Sequence, residues 1–158
     1  MIKKKYSHRT IHDEQIQKLY LAAKSVAVPK VISEQMCSGG VGAAVCTKQG
    51  RIFTGVCVDT DCSLGMCAER NALSADRDAG RDGGSHEAGQ VRKDGDELSS
   101  GEFNIDVVIA VNKSGKVLPP CGACREFMGQ FSHANDIQVV VDNDGTVVHL
   151  RDLMPFPY

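Results

Sequence analysis

The stretch Val107-Val108-Ile109-Ala110-Val111 is an uninterrupted apolar run within residues 103–111. A strand with one solvated face alternates apolar and polar residues, whereas a strand that is covered on both faces is apolar throughout. Residues 103–111 are therefore predicted to form a buried strand of a sheet, with other elements packed on both of its faces.

The segments before and after this stretch supply further strands. Residues 41–46 and 52–58 are apolar runs that flank Lys48-Gln49-Gly50-Arg51, which predicts a β-hairpin with a glycine in its turn. Residues 137–142 form another buried run, and an Asp-Asn-Asp-Gly turn leads from it into a last strand over residues 146–150. Together with residues 103–111 these segments give five predicted strands.

Three helices are predicted, one before the first strand and two between strands. Residues 12–28 carry an apolar stripe of helical period. Residues 63–75 are predicted to form a second helix, with Ser63 or Gly65 near its N-cap, and residues 125–133 a third, opened by a proline-containing turn. Helices that alternate with strands in this order predict an α/β domain with helices on both faces of a mixed sheet.

Residues 76–102 differ in composition from the rest of the chain. They contain six glycines and many charges, and Val91 and Leu98 are their only large aliphatic residues. Such a composition buries too little apolar surface to order well. We expect a mobile Gly-rich insertion rather than a lid, within a single domain of residues 1–158.

Composition and charge disfavour several classes of function. The formal net charge is −2, which gives no basic surface for nucleic acid, and no apolar run approaches the roughly 20 residues that span a bilayer. The N-terminus has no apolar segment typical of a secretory signal, so a cytoplasmic location is expected. Seven cysteines, an odd number, fit metal binding or core packing better than a disulfide framework. Cys46 is expected to be a buried apolar residue.

Three of the cysteines have the spacing of metal ligands. Cys121 and Cys124 form a C-x-x-C pair at a predicted helix start, where the helix dipole favours thiolates. Cys67 lies near a second predicted helix start. Catalytic zinc takes three protein ligands and keeps the fourth position for water, and no fourth cysteine or histidine has a matching spacing. The three thiols therefore predict a zinc site open to water.

Glu69, two residues after Cys67, decides between the possible kinds of site. A carboxylate beside an activated water takes its proton and passes it to a leaving group, whereas a structural zinc site has no use for one. Two alternatives stay open: a binding module with structural zinc and an inert Glu69, and a thiol redox protein that uses Cys121 and Cys124.

Arginines are placed to offset the charge of the thiolates. Three thiolates on a divalent cation leave a net negative cluster, which weakens the ion as a Lewis acid. A guanidinium that hydrogen-bonds the thiolates would compensate. Arg70, directly after Glu69, is the preferred donor, and Arg125 is expected to be a surface or first-turn residue of its helix.

These motifs resemble a known family. Cys67-Ala68-Glu69 together with Pro120-Cys121-Gly122-Ala123-Cys124 is similar to the small zinc-dependent cytidine deaminases, in the branch with three cysteine ligands that includes the blasticidin-S deaminases. The similarity extends over nearly the whole chain except the Gly-rich insertion. It includes residues 41–45, 50–55 and 64–70, and the ending Leu153-Met154-Pro155.

The resemblance implies a three-layer α/β/α sandwich around a five-stranded mixed sheet, with one Zn²⁺ per chain. It implies a homotetramer, or a homodimer, with active sites at subunit interfaces, and a role in pyrimidine salvage. Water activated at the metal would attack the amine-bearing ring carbon while Glu69 moves the protons and ammonia leaves. The main chain at Ala68 would bind the ring.

The chain departs from the family pattern where the substrate is recognised. Gly39 or Gly40 stands where the family has a phenylalanine, and Cys57 and Asp59 stand where it has an asparagine and a glutamate for the ribose hydroxyls. Tyr158 matches an aromatic residue at the chain end that reaches a neighbouring subunit. The expected substrate is cytidine, deoxycytidine or a close analogue. The alternative is a modified nucleoside or another aminated heterocycle, in the manner of blasticidin-S deaminase.

Overall fold

A computed structural model describes residues 14–79, 104–131 and 133–156. None of the helices in these ranges is long and apolar enough to cross a membrane. The helices are α1 (Glu14–Val26), α2 (Ala68–Ala79), α3 (Gly122–Gly129) and α4 (Leu150–Leu153). The strands are β1 (Lys30–Ser33), β2 (Met36–Thr47), β3 (Ile52–Thr60), β4 (Ile105–Asn112), β5 (Val117–Leu118), β6 (Gln138–Val140) and β7 (Val147–His149).

The strands form one mixed sheet. Five of them lie side by side in the order β3-β2-β4-β6-β7, with β4 and β6 parallel and the other neighbours antiparallel. Strand β1 pairs with the start of β2, and the two-residue β5 pairs with the end of β4. The predicted α/β class and its five main strands are confirmed. The two short strands were not predicted, because β1 is exposed along its length and β5 is too short to show a pattern.

The central strand β4 separates two apolar layers. Val107, Ile109 and Val111 pack with the buried face of α1, whereas Val108 and Ala110 pack with the buried residues of α2 and α3. All five side chains are at most 4% exposed. The prediction that this strand is covered on both faces is therefore confirmed.

The predicted hairpin of β2 and β3 is also present. Val45 lies opposite Phe53, and Cys46 lies opposite Ile52. Gly50 in the turn has a φ of +81°, a conformation that side chains with a Cβ rarely adopt. Cys46 is buried, as expected.

Two helices differ from their predicted bounds. The second begins at Ala68 rather than Ser63, because backbone hydrogen bonds of 2.8 and 2.9 Å join Met66 to Val58 and keep the chain extended up to Met66. The same helix continues to Ala79, four residues into the predicted insertion, and residues 80–102 lie outside the described residues. Helix α3 begins earlier than predicted and ends at Gly129, and a short 3₁₀ helix follows over Ala134–Asp136.

Two glycines allow the helices to lie directly on the sheet, one on each face. A Cβ on Gly42 of β2 would lie 2.2 Å from the Ala23 carbonyl oxygen of α1. A Cβ on Gly55 of β3 would lie 2.3 Å from the Ala72 backbone nitrogen of α2. Both distances are far inside van der Waals contact with backbone atoms, which cannot rotate away. Gly55 therefore sets the height of α2, and of the residues at its N-terminus, above the sheet.

Substitution of Gly55 by alanine tests whether the position of α2 depends on its close contact with β3. We expect Gly55→Ala to lower the free energy of unfolding by about 1–3 kcal/mol, because the added methyl group pushes α2 off the sheet. Equilibrium urea denaturation measures the change. Gly40→Ala, on the neighbouring strand, is the control, since its Cβ would meet only Cys57 Sγ at 3.8 Å. Equal stability of the two variants would show that α2 does not depend on this contact.

Candidate metal centre and adjoining cavity

Two helix N-termini bring the three predicted ligands together. Cys67 is the residue before α2, Cys121 is the N-cap of α3, and Cys124 lies in the first turn of α3. Their Sγ atoms all lie within 4.8 Å of one another, and the Cys67 and Cys121 sulfurs are 3.5 Å apart. The helix starts differ from the predicted ones by a few residues, but both thiol groups remain at the positive ends of helices.

The donor set fits a zinc ion. Tetrahedral zinc with Zn–S distances of ~2.3 Å places its sulfur ligands ~3.8 Å apart, close to the separations found. Cys124 is fully buried, Cys67 is half-buried and Cys121 is exposed. Within the described ranges this is the one group of three or more cysteine, histidine or acidic side chains able to hold a metal ion. No fourth protein ligand joins it there, as expected of a site open to water.

The thiols affect one another's protonation. Burial, followed by the Glu69 charge and a hydrogen bond with Cys121, raises the pKa of Cys124. Burial and the Cys121 thiol likewise raise the pKa of Cys67. Burial alone would raise the pKa of Cys121 too, but backbone and side-chain hydrogen bonds from Cys124 and Cys67 outweigh it and lower that pKa. A bound metal ion would displace the remaining thiol protons, since cysteine binds metals as thiolate.

A cavity of about 650 Å³ adjoins the thiol cluster. Cys67 and Cys121 line it, whereas Cys124 is buried behind them. Three further residues predicted from the sequence to contact substrate also line the cavity: Ala68, Cys57 and Asp59. Tyr158 lies outside the described residues. The structure thus places five of the predicted site residues, and Glu69 as a sixth, around one space.

Glu69 lies in the first turn of α2 and is only 6% exposed, yet it lines the cavity. Its charge is one of the causes that raise the pKa values of Cys67 and Cys124. Among the described residues no group hydrogen-bonds this carboxylate. A buried acid that faces a cavity without a structural partner is available to exchange protons with a ligand.

Neither of the two arginines hydrogen-bonds a thiol. Arg70 Nη2 donates to the Gly65 carbonyl oxygen at 3.4 Å, and Arg125 Nη1 donates to the Leu153 carbonyl oxygen at 2.8 Å. In both side chains Nε is buried and lacks a partner among the described residues. The role of Arg70 as a donor to the thiolates stays a prediction, and Arg125 fastens α3 to α4.

Cys57 and Asp59 form a hydrogen-bonded pair on the cavity wall. The Val41 N–H donates to Cys57 Sγ at 3.3 Å, and the Cys57 thiol donates to Asp59 Oδ2 at 3.4 Å. Burial, the largest cause, raises the pKa of Cys57, with the Asp59 charge adding to it. Cys57 is thus a neutral donor that orients Asp59, rather than a direct replacement for an amide.

Sequence reasoning missed other residues of the cavity wall. Cys62 is exposed there, and a hydrogen bond from Thr60, followed by one from the Leu64 backbone, lowers the pKa of its thiol. Leu118 and Pro119, just before α3, also line the cavity. Cys62 had no metal-ligand spacing, and the two apolar residues precede the helix without a recognisable motif. The backbone pairing of Met66 with Val58, two residues of this cavity wall, could not be predicted from any local sequence pattern.

Comparisons with known proteins agree with this site and fold. No family model matches the chain. A probable cytidine deaminase of Dictyostelium discoideum is 32% identical over 116 residues, covering 73% of this chain and 65% of that protein. Blasticidin-S deaminase of Bacillus cereus is 27% identical over 129 residues, covering 75% of this chain and 76% of that protein.

The solved structures that resemble the chain are also cytidine deaminases. The cytidine deaminase of Burkholderia pseudomallei is 26% identical, with a TM-score of 0.61 and coverage of 90% of this chain and 98% of that chain. The cytidine deaminase of Mycobacterium tuberculosis has a TM-score of 0.62 at 24% identity, which supports the fold alone. The fold and the three-cysteine cluster define a protein of the deaminase type. The chain is similar to the cytidine deaminases, and the relatives that it matches include both cytidine deaminases and a blasticidin-S deaminase.

Removal of one thiol tests the metal centre. We expect Cys121→Ser to weaken zinc binding by more than about 100-fold, since the loss of residues behind the ligands already costs 10–100-fold. Zinc content after dialysis against a weak chelator measures this. Cys62→Ser is the matched control, because Cys62 also lines the cavity and is also exposed. Equal zinc content in both variants would rule out Cys121 as a ligand.

Proposed function

We propose that the chain is a hydrolytic deaminase that replaces the amino group of a cytosine-type ring by oxygen and releases ammonia. One zinc ion per chain would be held by Cys67, Cys121 and Cys124. The observation that carries the proposal is that the buried Glu69 and two of these thiols line the same cavity. The reaction breaks a carbon–nitrogen bond of a cyclic amidine by addition of water.

In this reaction Glu69 transfers both protons. A zinc ion on the three thiolates supplies the Lewis-acid chemistry that makes water nucleophilic at neutral pH. Glu69 takes one proton from the attacking water and gives it to the adjacent ring nitrogen, as the water oxygen bonds to the amine-bearing carbon. Glu69 then carries the second proton to the amine, and the carbon–nitrogen bond breaks to release ammonia. Its position in the first turn of α2, one residue from the ring-binding main chain at Ala68, suits this transfer.

The substrate of the proposal is cytidine, deoxycytidine or a close analogue. Asp59, on the cavity wall, is placed to accept a hydrogen bond from a hydroxyl group of the substrate. A second candidate is a modified nucleoside or another aminated heterocycle. This candidate is favoured by the composition of the described cavity lining, which contains no aromatic residue to stack on a ring, and by Cys57, which donates to Asp59 and not to the cavity.

The non-enzymatic alternatives fit the site less well. A module with structural zinc would need neither a cavity beside the metal nor a buried acid on its wall. A redox protein using Cys121 and Cys124 leaves the third thiol, Cys67, without a role, although its sulfur lies 3.5 Å from that of Cys121. Stoichiometric zinc in the purified protein would contradict the redox alternative.

An assembly of identical chains, a homotetramer or a homodimer, is part of the proposal. Four exposed apolar residues on and beside β1, called the apolar patch below, support it: Val28, Val31, Ile32 and Met36 are 55%, 84%, 57% and 37% exposed. Burial of such side chains against a second copy would be favourable. Val31 also borders small cavities beside Asp59, so a second copy seated on this patch would lie next to the site. The chain end at Tyr158, a cytoplasmic location and a role in pyrimidine salvage remain expectations from the family.

Substitution of Glu69 tests the chemistry. We expect Glu69→Gln to retain zinc and to lower ammonia release from cytidine, or from the best substrate in a panel of aminated heterocycles, by about 10²–10⁴-fold. The amide keeps the shape of the side chain but cannot take a proton. Ammonia and ultraviolet absorbance follow the reaction. Glu34→Gln, an exposed acid of the β1–β2 turn, is the control. The enzyme proposal fails when the wild-type protein with full zinc deaminates nothing in the panel.

Charge on the apolar patch tests the assembly. We expect the double variant Val31→Glu, Ile32→Glu to dissociate into smaller species, because burial of unpaired carboxylates in a subunit interface is costly. Light scattering during size-exclusion chromatography gives the mass. Leu21→Glu is the control, since Leu21 is similarly exposed at 57% but lies on α1. An unchanged mass in the double variant would exclude β1 from the interface.

A further inference from the structure

A second cavity adjoins the one beside the thiols. Its volume is about 350 Å³, and it shares two lining residues with the first cavity, Gly40 and Asp59. Lys30 and Lys113, both exposed, are among its lining residues, and the Lys113 N–H donates to the Gly40 carbonyl oxygen at 3.1 Å. The proposed reaction uses only the first cavity, whereas the second borders the apolar patch at Val31.

Gly40 stands at the junction, and the structure does not require a glycine there. A Cβ on Gly40 would meet only Cys57 Sγ, at 3.8 Å, which is an ordinary contact. Its neighbours differ: Gly39 has a φ of +78° and a Cβ would lie 2.0 Å from the Val28 carbonyl oxygen, and a Cβ on Gly42 would strike α1. Of these three glycines, Gly40 alone has room for a side chain, and Gly40 lines both cavities.

The charges differ between the two cavities. The charged residues among the described lining of the first are Asp59 and Glu69, both acidic. The second adds two cations, Lys30 and Lys113, beyond the shared Asp59. A ligand that spans both spaces therefore meets the thiol cluster in the first cavity and two lysines among the residues that line the second. A carboxylate is the end group that lysine side chains would favour.

We propose that Gly40 joins the two cavities into one elongated site, and that the substrate is an aminated heterocycle whose long substituent passes Gly40 and ends in a carboxylate near Lys30 and Lys113. The inference rests on the deaminase function proposed above and specifies its substrate class. A bare nucleoside would fill the first cavity only. The missing side chain at Gly40 is thus a determinant of specificity and takes no part in the chemistry.

A matched set of cytidine analogues tests the substrate class with the wild-type zinc protein. An amide at the 5′ or the 3′ carbon of the sugar carries a succinyl, a β-alanyl or a butyryl chain, which end in a carboxylate, an ammonium and a methyl group. We expect kcat/KM for the succinyl compound in one of the two series to exceed that for the butyryl compound by up to about fivefold, the upper end for an exposed ion pair. It should also exceed that for unmodified cytidine. Equal rates with all three chains would overturn the carboxylate assignment.

Substitutions at the junction test the passage. We expect Gly40→Phe to lower kcat/KM for the succinyl compound by about tenfold or more while cytidine changes much less, because the ring blocks the substituent and not the nucleoside. Gly40→Ala should leave both values near those of the wild type. Equal losses on both substrates would overturn the role of Gly40. Zinc content and melting temperature report on folding, and Gly40→Leu replaces the phenylalanine variant when the latter does not fold.

Reversal of the lysine charge tests how the carboxylate of the substrate is bound. Lys113→Glu should lower the preference for succinyl over butyryl chains and leave cytidine turnover unchanged, whereas Lys116→Glu, an exposed lysine outside the second cavity, should have no effect. An undiminished preference would overturn the role of Lys113. Failure of the inference and failure of the function are distinguishable. If the protein deaminates cytidine but shows no preference for the succinyl compound, only the inference is contradicted. If it deaminates none of the compounds, the proposed function is contradicted.

Discussion

The contact of α2 with strand β3 at Gly55 is the constraint on which the site depends. Since no Cβ separates them, the helix backbone lies directly on the strand, with Gly55 facing the backbone of Ala72 and Ala68. The helix therefore begins at a fixed height, and Cys67 and Glu69 are held at its N-terminus. Helix α3, in the crossover between the parallel strands β4 and β6, delivers the other two thiols to the same point. A site of four side chains is thus positioned by backbone contacts more than by side-chain packing.

Much of the fold was predictable because its elements are buried and regular. Strand β4 is apolar at every position from Val107 to Val111, since both of its faces are covered, and that pattern is visible without a structure. The hairpin was predictable because Gly50 marks a turn that requires a positive φ. Strand β1 was not, because an exposed strand that pairs along one edge leaves no apolar period in the sequence.

The start of α2 shows a different limit of sequence reasoning. Ser63 is a good capping residue, and nothing local forbids a helix from it. The chain stays extended because Met66 pairs with Val58, an interaction between segments that propensity does not describe. The thiol cluster was nevertheless predictable, since C-x-x-C spacing and a cysteine two residues before an acid are local patterns. The Cys57–Asp59 pair and the junction at Gly40 were not predictable as contacts, because they depend on how β2 lies beside β3.

The separation of the ligands along the chain has a consequence for the thermodynamics of the fold. Cys67 and Cys121 are 54 residues apart, so a metal ion bound to both closes a long loop. The entropy lost on closing a flexible loop grows only with the logarithm of its length, at about 0.6 kcal/mol for each doubling. Lengthening or shortening the chain between α2 and β4 therefore changes the cost of assembling the metal centre very little. In polymer terms, a change in the number of residues between Cys67 and Cys121 costs little free energy, because the two helix starts and not the length of the connection hold the four side chains of the site.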